Sequence, residues 1–306
     1  MENIALFVSS CDKYQSVWYP YFELLKRYWP THPQRIYLST ESKSCSIEGL
    51  DITVLNSDGV IPWSQRLIEA LKQIEEPYII FSLEDFFFLD MVRQSQIDEC
   101  LSWMIEDDSI GVCRLSTVET VKGEKYKQSD FVICPNTHAW RVDTQIALWR
   151  KSFLLKVLHP METPWQFEGF ASKRSMNMAE KLLWFSPADP NDIKQMIFPY
   201  FNDVMKGYNI AWGKWLPKNK AWFLKNGIKD VKYHVLGSLS EKDIARRKKY
   251  LYCKPTSVIG KIVKQCYQSY VYADRVIREL IISGPNGIRN LYSILYSKIT
   301  HRKADV

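Results

Sequence analysis

PYIIFSLEDFFFLD, residues 77–90, is the stretch on which the reading of this chain turns. An apolar run, Tyr78 to Leu83, follows Pro77 and stops at two carboxylates, Glu84 and Asp85. Large aromatics come next, and a third carboxylate, Asp90, lies five residues beyond Asp85. A short apolar run bounded in this way reads as a buried central strand. Acids at its exit then sit on the carboxyl edge of the sheet, where open α/β folds place their ligands. Hard divalent cations prefer carboxylate oxygen, and Mg²⁺ or Mn²⁺ held there can clamp a diphosphate. The alternative is a strand that merely ends in solvated acids.

Outward from this strand the pattern alternates. Asn3–Ser9 reads as a first strand, followed by a turn through Ser10, Cys11, Asp12 and Tyr14. Val17–Tyr28 has helical spacing, with Trp18, Phe22, Leu25 and Trp29 near one face and Pro30 as a stop. Arg35–Ser39 and Ile52–Leu55 read as strands, Trp63–Glu76 as a helix striped with Leu67, Leu71 and Ile74. After the acidic strand come a helix, Ser95–Glu106, and a strand, Ile110–Leu115. Strand–helix alternation predicts an α/β fold: a Rossmann-type, mostly parallel sheet with helices on both faces. The middle is less regular: Phe131–Pro135 and Ala139–Val142 read as a hairpin, Ile146–Leu158 as a helix, and a further helix runs from Trp165 toward Met178. Residues 184–215 read as loop and strand. From about Glu241 the pattern is helical, broken at Gly284-Pro285-Asn286-Gly287. The expected organisation is therefore an α/β domain over 1–240 and a basic helical extension over 241–306.

Composition narrows the class. With 46% hydrophobic and 25% charged residues, the chain is an ordinary globular one. The net charge of +7 is uneven: Arg246, Arg247, Lys248, Lys249, Lys254, Lys261 and Lys264 crowd the late sequence, which ends with Lys298, Arg302 and Lys303. Such a tail suits an anionic membrane surface or a nucleic acid, or is a solvated helical face. Nucleic-acid binding would explain the tail but not the acidic strand end, so no nucleic-acid partner is expected. Seven scattered cysteines without a CxxC pair point to reduced thiols in the cytoplasm. MENIALFVSS reads as a strand, not a leader, and no apolar run approaches the roughly 20 residues of a membrane helix. GxSxG, Walker, GxGxxG and HExxH patterns are all missing.

Taken together, SSCDKY, WSQRLIEALKQI, YIIFSLEDFFF, LWRKSFLL and PWQFEGFASKR resemble bacterial glycosyltransferases of polysaccharide gene clusters, members of the GT-A-like nucleotide-diphospho-sugar transferase superfamily. The resemblance runs from about residue 3 to 220. It implies transfer of a sugar from a UDP- or GDP-sugar donor to a lipid-linked or polysaccharide acceptor, in capsule or O-antigen biosynthesis. It also implies site residues. Ser9, Ser10 and Asp12 match the region bordering the donor base and ribose, and Arg66 matches a position on the donor side. Glu84 and Asp85 replace the family's DxD motif, a departure that bears on metal dependence. Glu168 matches the carboxylate that deprotonates the acceptor hydroxyl, with Trp165 beside it as a sugar-stacking platform. His234 lies where some members place a further metal ligand beside that of Asp85. A non-catalytic scaffold subunit of a polysaccharide assembly complex keeps the same pattern without the activity.

The residue types suit that chemistry. The leaving diphosphate gains negative charge, which a metal on Asp85 or the cations Arg66 and Lys173 could stabilise. An acceptor hydroxyl needs a carboxylate to take its proton, and Trp165 and Phe167 would shield Glu168 from water. Glu84 and Asp85 point to opposite faces unless the chain bends after Leu83. With such a bend, Asp85 reaches the metal or diphosphate and Glu84 the ribose or a backbone amide. Asn202-Asp203, Lys206-Gly207 and Gly213-Lys214-Trp215 form a polar, aromatic stretch that lines the acceptor or donor, or packs as a loop. In the tail, Val258, Ile259, Ile262 and Val263 make one apolar stripe and Leu291, Tyr292, Ile294, Leu295 and Tyr296 another. Basic residues beside such stripes fit a helix at the inner face of the cytoplasmic membrane, or one packed on protein.

Overall fold

The computed structural model describes residues 3–57, 61–117, 121–138, 140–190, 192–200, 210–211, 213–240 and 242. The expected tail helices and the 202–207 stretch lie outside the described residues. In chain order the elements are β1 (Ile4–Ser9), α1 (Gln15–Tyr28), β2 (Arg35–Thr40), β3 (Ile52–Asn56), α2 (Trp63–Lys72), β4 (Tyr78–Leu83), α3 (Gln94–Glu106) and β5 (Ile110–Arg114). They continue with β6 (Phe131–Ile133), β7 (Ala147–Arg150), α4 (Lys151–Val157), α5 (Pro164–Ser175), β8 (Lys181–Phe185), β9 (Ile210–Ala211), β10 (Lys214–Trp215), α6 (Pro217–Lys225) and α7 (Tyr233–Leu236).

Eight strands form one sheet in the order β3-β2-β1-β4-β7-β5-β8-β6, and β9 and β10 form a separate two-stranded ladder. Neighbours β3, β2, β1 and β4 run parallel, as do β5 and β8. β7 lies antiparallel between β4 and β5, and β6 is antiparallel to β8. The expected mostly parallel α/β sheet flanked by helices is what forms.

A period of two along each strand sorts the core into two layers. Ile4, Leu6 and Val8 of β1, with Tyr78 and Ile80 of β4, pack against α1 and α3. Ala5 and Phe7, with Ile79 and Phe81, pack against α2, α4 and α5. Both faces are apolar, so β1 and β4 are central strands and their ends define the middle of the carboxyl edge.

Two expectations for the middle of the chain change. Ile146–Leu158 is not one helix: Ala147–Arg150 is strand β7, and only Lys151–Val157 is helical. Leu148 faces one layer and Trp149 the other, while β4 and β5 both supply ladder partners, so the gap between them imposes an extended conformation. Phe131–Ile133 pairs with β8 rather than with residues 139–142. The latter side is drawn to α5 instead, where Val142 N–H donates to Ser172 Oγ (3.0 Å) and Arg141 Nη1 to the Ser175 carbonyl (2.7 Å). Among the described residues, no helix is long and apolar enough to cross a membrane.

Gly111 of β5 shows how tightly the second layer is packed. A Cβ there would overlap the ring of buried Phe153 on α4. Gly111→Ala is therefore expected to destabilise the fold by about 1–3 kcal/mol, as overpacking does. Urea unfolding should show a lower midpoint with an unchanged slope, and a midpoint equal to the parent's would contradict this packing.

Candidate functional site

β1 and β4 run parallel in register, so Ser9 lies opposite Leu83 and the two chain exits are neighbours on the carboxyl edge. Ser9 and Ser10 leave on opposite faces. Trp63 Nε1 of α2 donates to Ser9 Oγ at 3.0 Å, and Trp18 Nε1 of α1 donates to Ser10 Oγ at 2.7 Å. Ser10 in turn donates to Glu84. Strand β4 stops at Leu83 because Glu84 and Asp85 form a turn, with Phe87 N–H donating to the Asp85 carbonyl at 3.0 Å. The bend that would let both acids serve one region is thus present. Asp85 accepts from the Ile210 N–H of β9 at 3.2 Å.

The aromatics that follow hold this turn. Phe86 stacks on Tyr200 (4.7 Å between ring centroids), Phe87 meets Phe223 of α6 edge-on (5.0 Å), and Phe88 lies against Tyr21 (5.8 Å). All three phenylalanines are buried, and Glu84 is only 7% exposed.

Burial shapes the electrostatics. Glu84 is pushed well above the usual carboxylate range, first by burial and then by the charge of Asp85. Asp85 is pushed up to about 6 by burial, against the pull of the Ile210 N–H. Their joint field reaches the β1 exit. Burial and then Glu84 and Asp85 raise the Tyr14 hydroxyl to about 12, and burial with Glu84 and Glu41 raises the Cys11 thiol to about 11. Among the described residues neither Glu84 nor Asp85 is in an ion pair.

Other acids on the edge are partnered. Arg66 of α2 pairs with Glu41, whose second oxygen accepts from the Asp12 N–H. Arg66 thus reaches Glu84 only through its longer-range field. Asp12 accepts from Thr40 Oγ1 (2.8 Å), Ser42 Oγ (2.6 Å), Ser42 N–H (3.1 Å) and Lys43 N–H (3.1 Å). Those donors fill the carboxylate, so Asp12 braces the loop after β2 and is not an open acceptor for a ribose or base.

Glu168 is positioned by α5. Thr163 caps that helix and Gln166 returns the bond, a capping box with Pro164 in the first turn. Glu168 Oε1 accepts from Thr144 N–H (3.0 Å) and Thr144 Oγ1 (2.7 Å), in the segment that enters β7 from the carboxyl edge. Neither Lys173 nor Arg174 pairs with it. Arg174 binds Glu162 instead, at 2.5 and 2.7 Å. Trp165 is 68% exposed on the first turn of α5, and Lys173 is exposed farther along it. His234 is exposed on α7. Among the described residues, no group of three or more His, Cys, Asp or Glu is arranged to hold a metal ion. Two carboxylates do fit a hard cation that completes its shell with water and phosphate oxygens, the usual Mg²⁺ arrangement.

Sequence reasoning missed Glu41, Tyr14, Trp63 and Thr144. Glu41 directly follows β2, and a search of every parallel strand's exit would have found it. Thr144 had no signal, because its role depends on β7.

No protein-family model matches the sequence, and no curated protein matches it. Solved structures similar to it include Staphylococcus aureus TarS 1-349 (13% identity, 60% of each chain covered, TM-score 0.41). TarS 1-349 is also known in complex with UDP and with UDP-GlcNAc. A nucleotidyl transferase from Methanothermobacter thermautotroptrophicus is 12% identical over 67% of this chain and 96% of that one, with a TM-score of 0.42. CMP:2-keto-3-deoxy-manno-octonic acid synthetase complexed with CTP is 13% identical over 61% of this chain and 90% of that one, with a TM-score of 0.36. This chain spans 60% of the length of TarS 1-349 and 38% of the longer TarS structure.

The brace at Asp12 is testable by pH. Burial opposes its charge, but the hydrogen bonds from Ser42, Thr40 and Lys43 hold its carboxyl well below the ordinary value of 3.8. A depressed carboxyl stabilises above its unfolded value and loses that effect only as pH falls through the folded one. Amide-exchange protection of Ser42 and Lys43 should therefore persist at pH values near 3.8 and fade below, and Asp12→Ala should abolish it at neutral pH. Unchanged protection in the variant would remove the brace.

Proposed function

We propose that this protein is a glycosyltransferase that moves a sugar from a UDP- or GDP-sugar to a hydroxyl of a lipid-linked or polysaccharide acceptor during surface polysaccharide synthesis. One observation carries the reading: Glu84, buried, and Asp85, half-buried, close a central strand beside the β1 exit, side by side and without an ion-pair partner among the described residues. Such a pair attracts a positive partner. Asp85, with Glu84 beside it, would hold Mg²⁺ or Mn²⁺. When bound, that ion neutralises charge building on the leaving diphosphate.

The chain's own residues supply the rest. Ser9 and Ser10 border the nucleoside, their hydroxyls oriented by Trp63 and Trp18. Glu168 serves as the base. Its Oε1 is anchored by Thr144, and Oε2 takes no hydrogen bond among the described residues. As the acceptor oxygen bonds to the anomeric carbon, the carbon–oxygen bond to the diphosphate breaks, and the hydroxyl proton passes to Oε2. Trp165 offers an exposed face for an acceptor sugar, and exposed Lys173 lies farther along the same helix. The acceptor would be met at the inner face of the cytoplasmic membrane.

A thermal-shift panel of nucleoside diphosphates with and without Mn²⁺ tests the donor site. A cognate nucleotide at a hundredfold excess over Kd should raise Tm by about 5 °C, more so with the metal. A flat response across the panel would exclude a donor site and leave a scaffold protein. Glu168→Gln keeps an acceptor for Thr144 but not a base. It should lower kcat by about 10²–10⁴ with nucleotide binding unchanged, and parental turnover would rule Glu168 out as base.

A further inference from the structure

Helix α6 is built to face two environments. Its inner positions Asn219 and Phe223 are fully buried, and Phe223 packs edge-on against Phe87, two residues beyond Asp85. Its outer positions Pro217, Lys220, Ala221, Leu224 and Lys225 are all exposed. Their spacing of three and four residues places them on one stripe. Leu224 is 50% exposed between two lysines. Arg27 of α1 joins the end of this stripe, since its Nη1 donates to the carbonyl of Asn226, the residue after α6, at 2.5 Å. The charge is one-sided. Residues 214–232 hold Lys214, Lys218, Lys220, Lys225, Lys229 and Lys232 against a single acid, Asp230. Asp230 and Glu23 both act on Tyr19, whose hydroxyl is raised by burial and then by these two acids, and Glu23 pairs with Lys26 at 2.7 Å. These two acids thus meet near Tyr19 of α1. A second apolar side chain, Val235 on α7, is 47% exposed.

We propose that the outer face of α6 is a docking surface for an anionic phospholipid membrane. Lysines flanking a solvent-exposed leucine match a headgroup layer over acyl chains, and the stripe carries no aromatic on which a nucleobase could stack. Phe223 ties this helix to the loop that carries the paired carboxylates. Docking would therefore bring the carboxyl edge of the sheet to the membrane, where a lipid-linked acceptor resides. This purpose rests on the transferase reading, but the binding itself does not.

The test uses the full 306-residue chain and sedimentation with vesicles of phosphatidylcholine alone or mixed with phosphatidylglycerol. Parent protein should bind only the mixed vesicles. Lys220→Gln with Lys225→Gln should weaken binding about 30-fold, each lost charge contributing about a factor of five. Leu224→Ser should remove the part of the binding that survives high salt. Lys122→Gln with Lys125→Gln, on another exposed segment, should bind as the parent does. Parental binding by the α6 variants would overturn the proposal, as would no binding by the parent. So would tighter, α6-dependent binding to single-stranded nucleic acid. These exposed substitutions should leave the melting curve unchanged, and a lowered Tm would instead make α6 a structural element. The vesicles contain neither donor nor acceptor. A protein that docks but ignores every nucleotide keeps this surface and loses the transferase reading, and the converse result does the opposite.

Discussion

Burial of Phe86, Phe87 and Phe88 drags Glu84 out of water and Asp85 partly so, because the two acids directly precede them in the chain. Each phenylalanine contributes about 1.5–3 kcal/mol on burial, so the three together supply roughly 5–9 kcal/mol. Burying a carboxylate costs several kcal/mol, the same order. The aromatic turn can therefore hold Glu84 and Asp85 in a place they would otherwise leave. Ser10 and the Ile210 amide offset only part of that cost, which is why both acids sit above the usual carboxylate range.

Partnering sorts the remaining acids of the edge. Glu41 is shared between Arg66 and the Asp12 amide, Asp12 is filled by the loop after β2, and Asp143 faces buried Arg114 at 3.2 Å. Glu162 is forked by Arg174 and also knits α2 to the loop before α5, since Ser64 N–H donates to its carbonyl at 3.1 Å. These groups hold the scaffold. Among the described residues, Glu84, Asp85 and Glu168 differ in lacking a charged partner. Arg66, expected on the donor side, pairs through Nη1 with Glu41.

The first half of the fold was legible because its strands are apolar on both faces and its helices carry single stripes. Periodicity alone placed β1, α1, β2, β3, α2, β4, α3 and β5 to within a few residues of the observed ends, α2 apart, which stops at Lys72. The run from Ile146 failed for a specific reason. ALWR followed by KSFLLKV is continuous in helical character, and only the open ladder positions of β4 and β5 pull its first four residues into a strand. Helix α6 was missed because its outer stripe carries lysines and a leucine together, which blurs the usual apolar and polar faces.

From its residues alone the chain determined that an acidic pair would close a central parallel strand, since an apolar run with a carboxylate end has few other homes. It also determined that a late Trp-x-x-Glu would start a helix, because Thr163 and Pro164 stand before it. Only the tertiary structure decided which acids remain without a charged partner. That depends on contacts between distant segments, such as Asp12 with Ser42, Arg66 with Glu41 and Thr144 with Glu168, and a carboxylate's partner is set by what the fold brings within three ångströms of it, not by its neighbours in sequence.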